Sequence, residues 1–146
     1  MPASHYAEPM LLVCVFDVPD GDRAAFTGRA RRAAELLGGQ PGCRGVSVGR
    51  AVDAPQRWVF TARFDSVTAY RRCLAPFAVR EHVVPLLAQC LDGVPSTYEV
   101  LLDSVDGTVA EASSLLADDA STVRRGGAAT ASRGGAATAE SARGDR

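Results

Sequence analysis

Met10-Leu-Leu-Val-Cys-Val-Phe16 is apolar at every position, and a short unbroken run of this kind reads as a β-strand buried on both faces. Val18-Pro-Asp-Gly21 follows with turn chemistry. Asp20 or Asp22 then stands where a helix cap belongs, ahead of a helix running to about Leu37. Along it Ala25, Phe26, Ala30, Ala33, Ala34 and Leu37 recur at helical spacing, while Arg23, Arg29, Arg31 and Arg32 supply polar surface. Gly38-Gly39 ends this helix and Pro41-Gly42 turns the chain.

Arg44 to Val52 alternates as a second strand, with Val46, Val48 and Ala51 as the inward candidates, and Asp53-Ala-Pro55 fits a hairpin connection. In the third strand, Gln56 to Phe64, Trp58, Phe60, Ala62 and Phe64 share one face; Arg57, Val59, Thr61 and Arg63 take the other. Asp65 or Ser66 caps a second helix through about Leu74, which Pro76 interrupts. A continuation from Phe77 to Leu91 carries Val79, Val83, Leu86, Leu87 and Cys90, with a kink expected at Pro85. Asp92-Gly93 closes it, and Thr97 to Leu102 is the last strand.

The order is β-α-β-β-α-β, an α+β, ferredoxin-like arrangement: an antiparallel sheet with two helices on one face. The uncovered face of such a sheet ordinarily meets water and is polar. Both faces of Met10–Phe16 are apolar. A second copy of the same sheet is the economical cover, so the residues themselves point to a homodimer, a dimeric α+β barrel.

Outside this segment the character changes. Residues 1–9 read as a loose leader, 10–102 as the domain, and 103–146 as a low-complexity tail. The tail holds the near-repeat Arg125-Gly-Gly-Ala-Ala-Thr-Ala-Ser132 and Arg133-Gly-Gly-Ala-Ala-Thr-Ala-Glu140. It has too little to bury to offset its ordering entropy, so disorder is expected, apart from a marginal helix near Val109–Asp118.

A net charge of −1, all of whose sixteen positive groups are Arg, argues against a nucleic-acid binder relying on a basic surface. The longest apolar run is too short for a signal peptide or a membrane span. Cys14, Cys43, Cys73 and Cys90 form no C-x-x-C pair, which fits neither a zinc ribbon nor a thioredoxin-type motif. A reduced, cytoplasmic protein without metal or membrane partner is the expectation.

Pro41-Gly-Cys-Arg-Gly45, Arg57-Trp-Val-Phe-Thr-Ala-Arg-Phe64 and Ser66-Val-Thr-Ala-Tyr-Arg-Arg72 occur in that order. With Val79-Arg-Glu-His-Val-Val-Pro-Leu-Leu87 and Tyr98-Glu-Val100, they resemble the antibiotic biosynthesis monooxygenase (ABM) family. The resemblance covers nearly all of Met10–Leu102 and none of the tail. It implies the dimeric α+β barrel and a pocket between the sheet and its helices. The family includes cofactor-independent oxygenases of aromatic polyketides, quinol monooxygenases and haem-degrading enzymes. The haem-degrading branch uses an Asn, a Trp and a His ligand that align here with Cys14, Phe64 and Cys73, so none of the three is retained. A Cys thiolate can still bind haem iron, leaving a haem-binding protein as a minor alternative.

The resemblance therefore implies a monooxygenase needing no cofactor, acting on a small phenolic or quinol-type aromatic with O₂. On that reading Phe60, Phe64, Tyr70 and Phe77 are expected at the pocket, with Cys14, Cys73 and Arg63 as further substrate contacts. Tyr70 is also expected to be catalytic, since its phenol needs a partner when buried and can hydrogen-bond a substrate oxygen. His82, alone among histidines inside the domain, is the expected general base, although pairing with Glu81 on the surface or an interface contact would also explain it. Trp58 is a candidate for the dimer interface. The alternative function is a non-catalytic small-molecule binder or accessory dimer on the same fold.

Overall fold

The computed structural model describes residues 8–113. β1 (Met10–Asp17) lies inside a four-stranded antiparallel sheet, between β3 (Arg57–Phe64) and β4 (Thr97–Glu99), and β2 (Cys43–Arg50) pairs with the far side of β3. The order β2-β3-β1-β4 is the ferredoxin-like one. Register places Met10 opposite Phe64, Leu12 opposite Ala62, Cys14 opposite Phe60 and Phe16 opposite Trp58. Because side chains alternate along a strand, those eight residues share the face that receives the helices. All but Trp58 are buried.

α1 (Arg23–Gly38) buries Phe26, Ala30, Ala33 and Leu37, a stripe at helical spacing, against that face. The expected Asp20 or Asp22 side-chain cap is not made. The chain instead enters the helix through a 3₁₀ turn at Asp20–Asp22, in which Asp22 N–H donates to Pro19 C=O. Such a turn satisfies a terminal donor from the backbone and leaves the carboxylates in water. Ser66 does cap α2 (Val67–Cys73): its Oγ accepts from Ala69 N–H at 3.0 Å.

The second helical segment divides further than expected. α2 ends before Pro76, α3 spans Phe77–His82, and α4 spans Val84–Leu87. Pro85 has no N–H to give the carbonyl four residues back, yet Val83 N–H still reaches Val79 C=O and Leu87 N–H reaches Val83 C=O. Val79, Val83 and Leu86 therefore stay in one apolar row and are fully buried. α4 does not continue to Leu91; two turns carry the chain to Cys90.

The last strand is shorter than Thr97–Leu102, since only Thr97–Glu99 joins the sheet. Leu102 opens a separate hairpin of β5 (Leu102–Val105) and β6 (Thr108–Glu111), where a structureless tail was expected to begin. Asp106 and Gly107 both have positive φ, 53° and 79°, as a two-residue type I′ hairpin turn requires. Val109–Glu111 is strand, not the start of a helix; residues 114–118 of that expected helix, and the near-repeat, lie outside the described residues. Among the described residues no helix is long and apolar enough to cross a membrane.

Candidate active site

Phe60 and Phe64 come from β3, Cys14 from β1, and Tyr70 and Cys73 from α2. Cys14, Phe60, Phe64 and Cys73 belong to the buried core of the domain, and Tyr70 packs against it. β1 and β3 project their side chains toward the helices at matched register, and the Ser66 cap sets the start of the helix that lowers Tyr70 and Cys73 onto them. The Tyr70 ring meets Phe64 edge-on, with centroids 5.1 Å apart and planes at 65°, a favoured aromatic geometry. Cys73 Sγ donates to Pro41 C=O at 3.3 Å, and Gly42 approaches so closely that a Cβ there would lie 2.9 Å from the Ala69 Cβ. The Pro41-Gly42 turn thus forms the end wall of the cluster.

Its titratable groups are all held neutral. Burial raises the Tyr70 phenol above its usual 10, with nearby Cys14 adding to the effect. Burial, and then Cys90, push the Cys14 thiol up to about 12. Cys73 is raised by burial and then by Cys43. Removing a charged form from water disfavours it, so at neutral pH the cluster offers a phenol, two thiols and aromatic rings, and no standing charge. No described residue hydrogen-bonds the Tyr70 hydroxyl.

The other expected site residues lie elsewhere. Arg63 is on the opposite face of the sheet, 3.0 Å from Asp103 of β5. Phe77 begins α3, directly after Pro76, and is 73% exposed. His82 is exposed and stands 3.5 Å from Glu81, in an open groove of about 300 Å³ lined by Gly28, Arg29, Arg32 and Pro85. It is not among the residues of the Tyr70 cluster.

Trp58 belongs to the helix-facing side, as the alternation along β3 requires, and not to the uncovered face where a partner sheet was expected. It packs edge-to-face on Phe26, centroids 5.4 Å apart, under the Arg50 guanidinium at 5.8 Å. Its Nε1 is buried without a hydrogen-bond acceptor among the described residues. With Thr27, Ala30, Ala34 and Val48 it lines an open groove of about 480 Å³, rimmed by Arg31 and Glu35. The groove escaped the sequence reading because it joins positions on α1 and β2 that only the register brings together.

Haem is poorly matched here. Cys73, the residue aligned with the family's iron ligand, is buried, protonated and already donating to Pro41. A thiolate ligand would need the proton lost and the carbonyl contact broken. Among the described residues no group of three His, Cys, Asp or Glu side chains could hold a metal ion.

Residues 9–76 match the family model for antibiotic biosynthesis monooxygenase. Solved structures share the fold. A conserved protein from Methanosarcina mazei Go1 is 15% identical, with a TM-score of 0.54 over 68% of this chain and 97% of its own. A variant of SnoaB, a cofactor-independent oxygenase from Streptomyces nogalater, is 24% identical, with a TM-score of 0.51 over 75% of this chain and 98% of its own. Rv0793 from Mycobacterium tuberculosis is 14% identical, with a TM-score of 0.51 over 67% and 96%. No curated protein matches. The matched segment runs from the start of β1 to the end of α2 and contains every residue of the Tyr70 cluster, so over residues 9–76 the chain is similar to the antibiotic biosynthesis monooxygenase family.

Proposed function

We propose that this protein is a cofactor-independent monooxygenase of a small phenolic or quinol-type aromatic, working as a cytoplasmic homodimer with Tyr70 in contact with substrate. The observation that carries this reading is the Tyr70 phenol: half-buried against Phe64, un-ionised, and with its hydroxyl unclaimed by the described residues. Similarity to SnoaB, which is a cofactor-independent oxygenase, supports the reaction class.

In such chemistry the ionised substrate is the electron source. Its anion passes an electron to O₂, the two radicals combine to a hydroperoxide, and loss of water leaves a carbonyl. The oxidised carbon gives up four electrons; O₂ takes four, one oxygen entering product and the other leaving as water. The protein's part is an apolar enclosure and a hydrogen bond to the substrate oxyanion. Tyr70 is suited to donate that bond because burial keeps its proton in place. Leu11, Val13, Val15 and Val59 leave the far face of the sheet apolar and only partly covered, which supports the second copy; four free thiols fit a reducing compartment.

Oxygen uptake with a panel of dihydroxynaphthalenes and anthrones tests the proposal. Turnover is expected, with Tyr70→Phe lowering kcat/KM by about tenfold or more, the worth of one hydrogen bond of roughly 1.4 kcal/mol. No uptake across the panel would overturn the catalytic reading. One observation favours a second reading, a binder without chemistry: Cys14, Tyr70 and Cys73 are all held protonated, while His82 lies apart. That reading predicts saturable quenching of Trp58 fluorescence by the same aromatics with no oxygen consumed.

A further inference from the structure

Four cysteines are free, and they sit as two pairs of unlike character. Cys73 lies near Cys43, but each of those sulfhydryls is directed at a backbone carbonyl, Cys73 at Pro41 (3.3 Å) and Cys43 at Gly45 (3.8 Å). Cys90 is the thiol neighbouring Cys14, near enough to act on its ionisation. The backbone holds them there. Leu91 N–H donates to Val15 C=O at 2.7 Å, tying the residue after Cys90 to the residue after Cys14. Cys14 is enclosed at 2% exposure, whereas Cys90 is only partly buried and packs on the edge of the core.

We propose that Cys14 and Cys90 are a peroxide-sensitive pair that closes to a disulfide, with Cys90 oxidised first and Cys14 resolving it. Cys90 is the member that solvent reaches. Its thiol sulfur attacks one oxygen of hydrogen peroxide, the O–O bond breaks, and Cys90 sulfenic acid and one water result. The Cys14 sulfur then attacks the sulfenic sulfur; the S–O bond breaks, the S–S bond forms, and the Cys14 proton leaves with the hydroxyl as a second water. Two thiols have lost two electrons and the peroxide has gained them. Enclosure keeps Cys14 from meeting peroxide first, and it gives up its proton only as it closes on the sulfenic sulfur of Cys90. The inference does not depend on the oxygenase reading, since it needs only the two thiols and an external peroxide.

The test treats the full chain with a small excess of hydrogen peroxide. Free thiols under denaturing conditions should fall from four to two, with an intact-mass loss of about 2 Da reversed by dithiothreitol. Cleavage after arginine leaves the cysteines on four separate peptides, 1–23, 33–44, 73–80 and 81–124, so a non-reducing map identifies the link without ambiguity. A 1–23 to 81–124 cross-link is the expected product. In Cys14→Ser, or in Cys14→Val should the polar replacement not fold, Cys90 should instead accumulate sulfenic acid that dimedone traps. A link between 33–44 and 73–80, an intermolecular Cys90 pair, or sulfinic acid at Cys90 with Cys14 untouched would each overturn the proposal.

Discussion

Gly42 adopts φ of +91°, and a Cβ at that position would stand 2.9 Å from the Cβ of Ala69. Backbone strain and a side-chain collision coincide there, and the neighbour is a short, stiff group on α2 that cannot swing away. Gly42→Ala should therefore destabilise the fold by about 1–3 kcal/mol, read as a lower urea midpoint at unchanged slope. The Pro-Gly turn was legible from sequence; the reason for its glycine was not, because Ala69 is distant in the chain and meets it only through β3. The same limit governs the candidate site. Alternation along β3 put Phe60 and Phe64 on one face, which in the structure is the helix-facing one; Tyr70 and Cys73 were set beside them only by the family resemblance. Phe77 and His82 follow a proline break, where spacing no longer predicts which side of a short helix meets the core, and both turned outward.

At the scale of elements, Ser66 carries more than its size suggests. Its single hydrogen bond to Ala69 N–H starts a helix of only seven residues, too short to persist by its own propensity. Ser66→Ala should cost about 1 kcal/mol of stability, and faster amide exchange should appear at Ala69 and Tyr70 before it appears in α1. The sheet, its order and the capping of α2 were readable because apolar periodicity and turn residues agreed along Met10–Phe64. The hairpin of β5 and β6 was not read, although Asp106-Gly107 is a strong hairpin signal. The Ala- and Ser-rich composition around it argued for a tail, and composition prevailed over a local motif. An interruption at Pro76 and a kink at Pro85 were anticipated, but not the break between His82 and Val84 or the early stop at Leu87.

For the whole molecule, the face of the sheet away from the helices decides the assembly. Val13 lies at its middle, opposite Thr61 of β3, where a partner sheet would exclude water. If a second copy covers this face, Val13→Asp buries an unpaired carboxylate at the interface, and the cost of several kcal/mol should convert a dimer into monomer. Light scattering at micromolar concentration checks this directly; a wild-type protein that is already monomeric would remove the dimer from the proposed function.

The position of β1 in the sheet also bears on how the chain is made. It is synthesised before both of its partners, and one of them, β3, begins about forty residues later. At about 5–20 residues per second that interval is roughly 2–8 s. During it an eight-residue strand, apolar on both sides, has no neighbour to occupy its hydrogen-bonding edges. α1 emerges within the interval and can shield one side; the other would be covered only by the second copy proposed above. The strand most enclosed in the finished sheet is thus the segment of the growing polypeptide most in need of a chaperone.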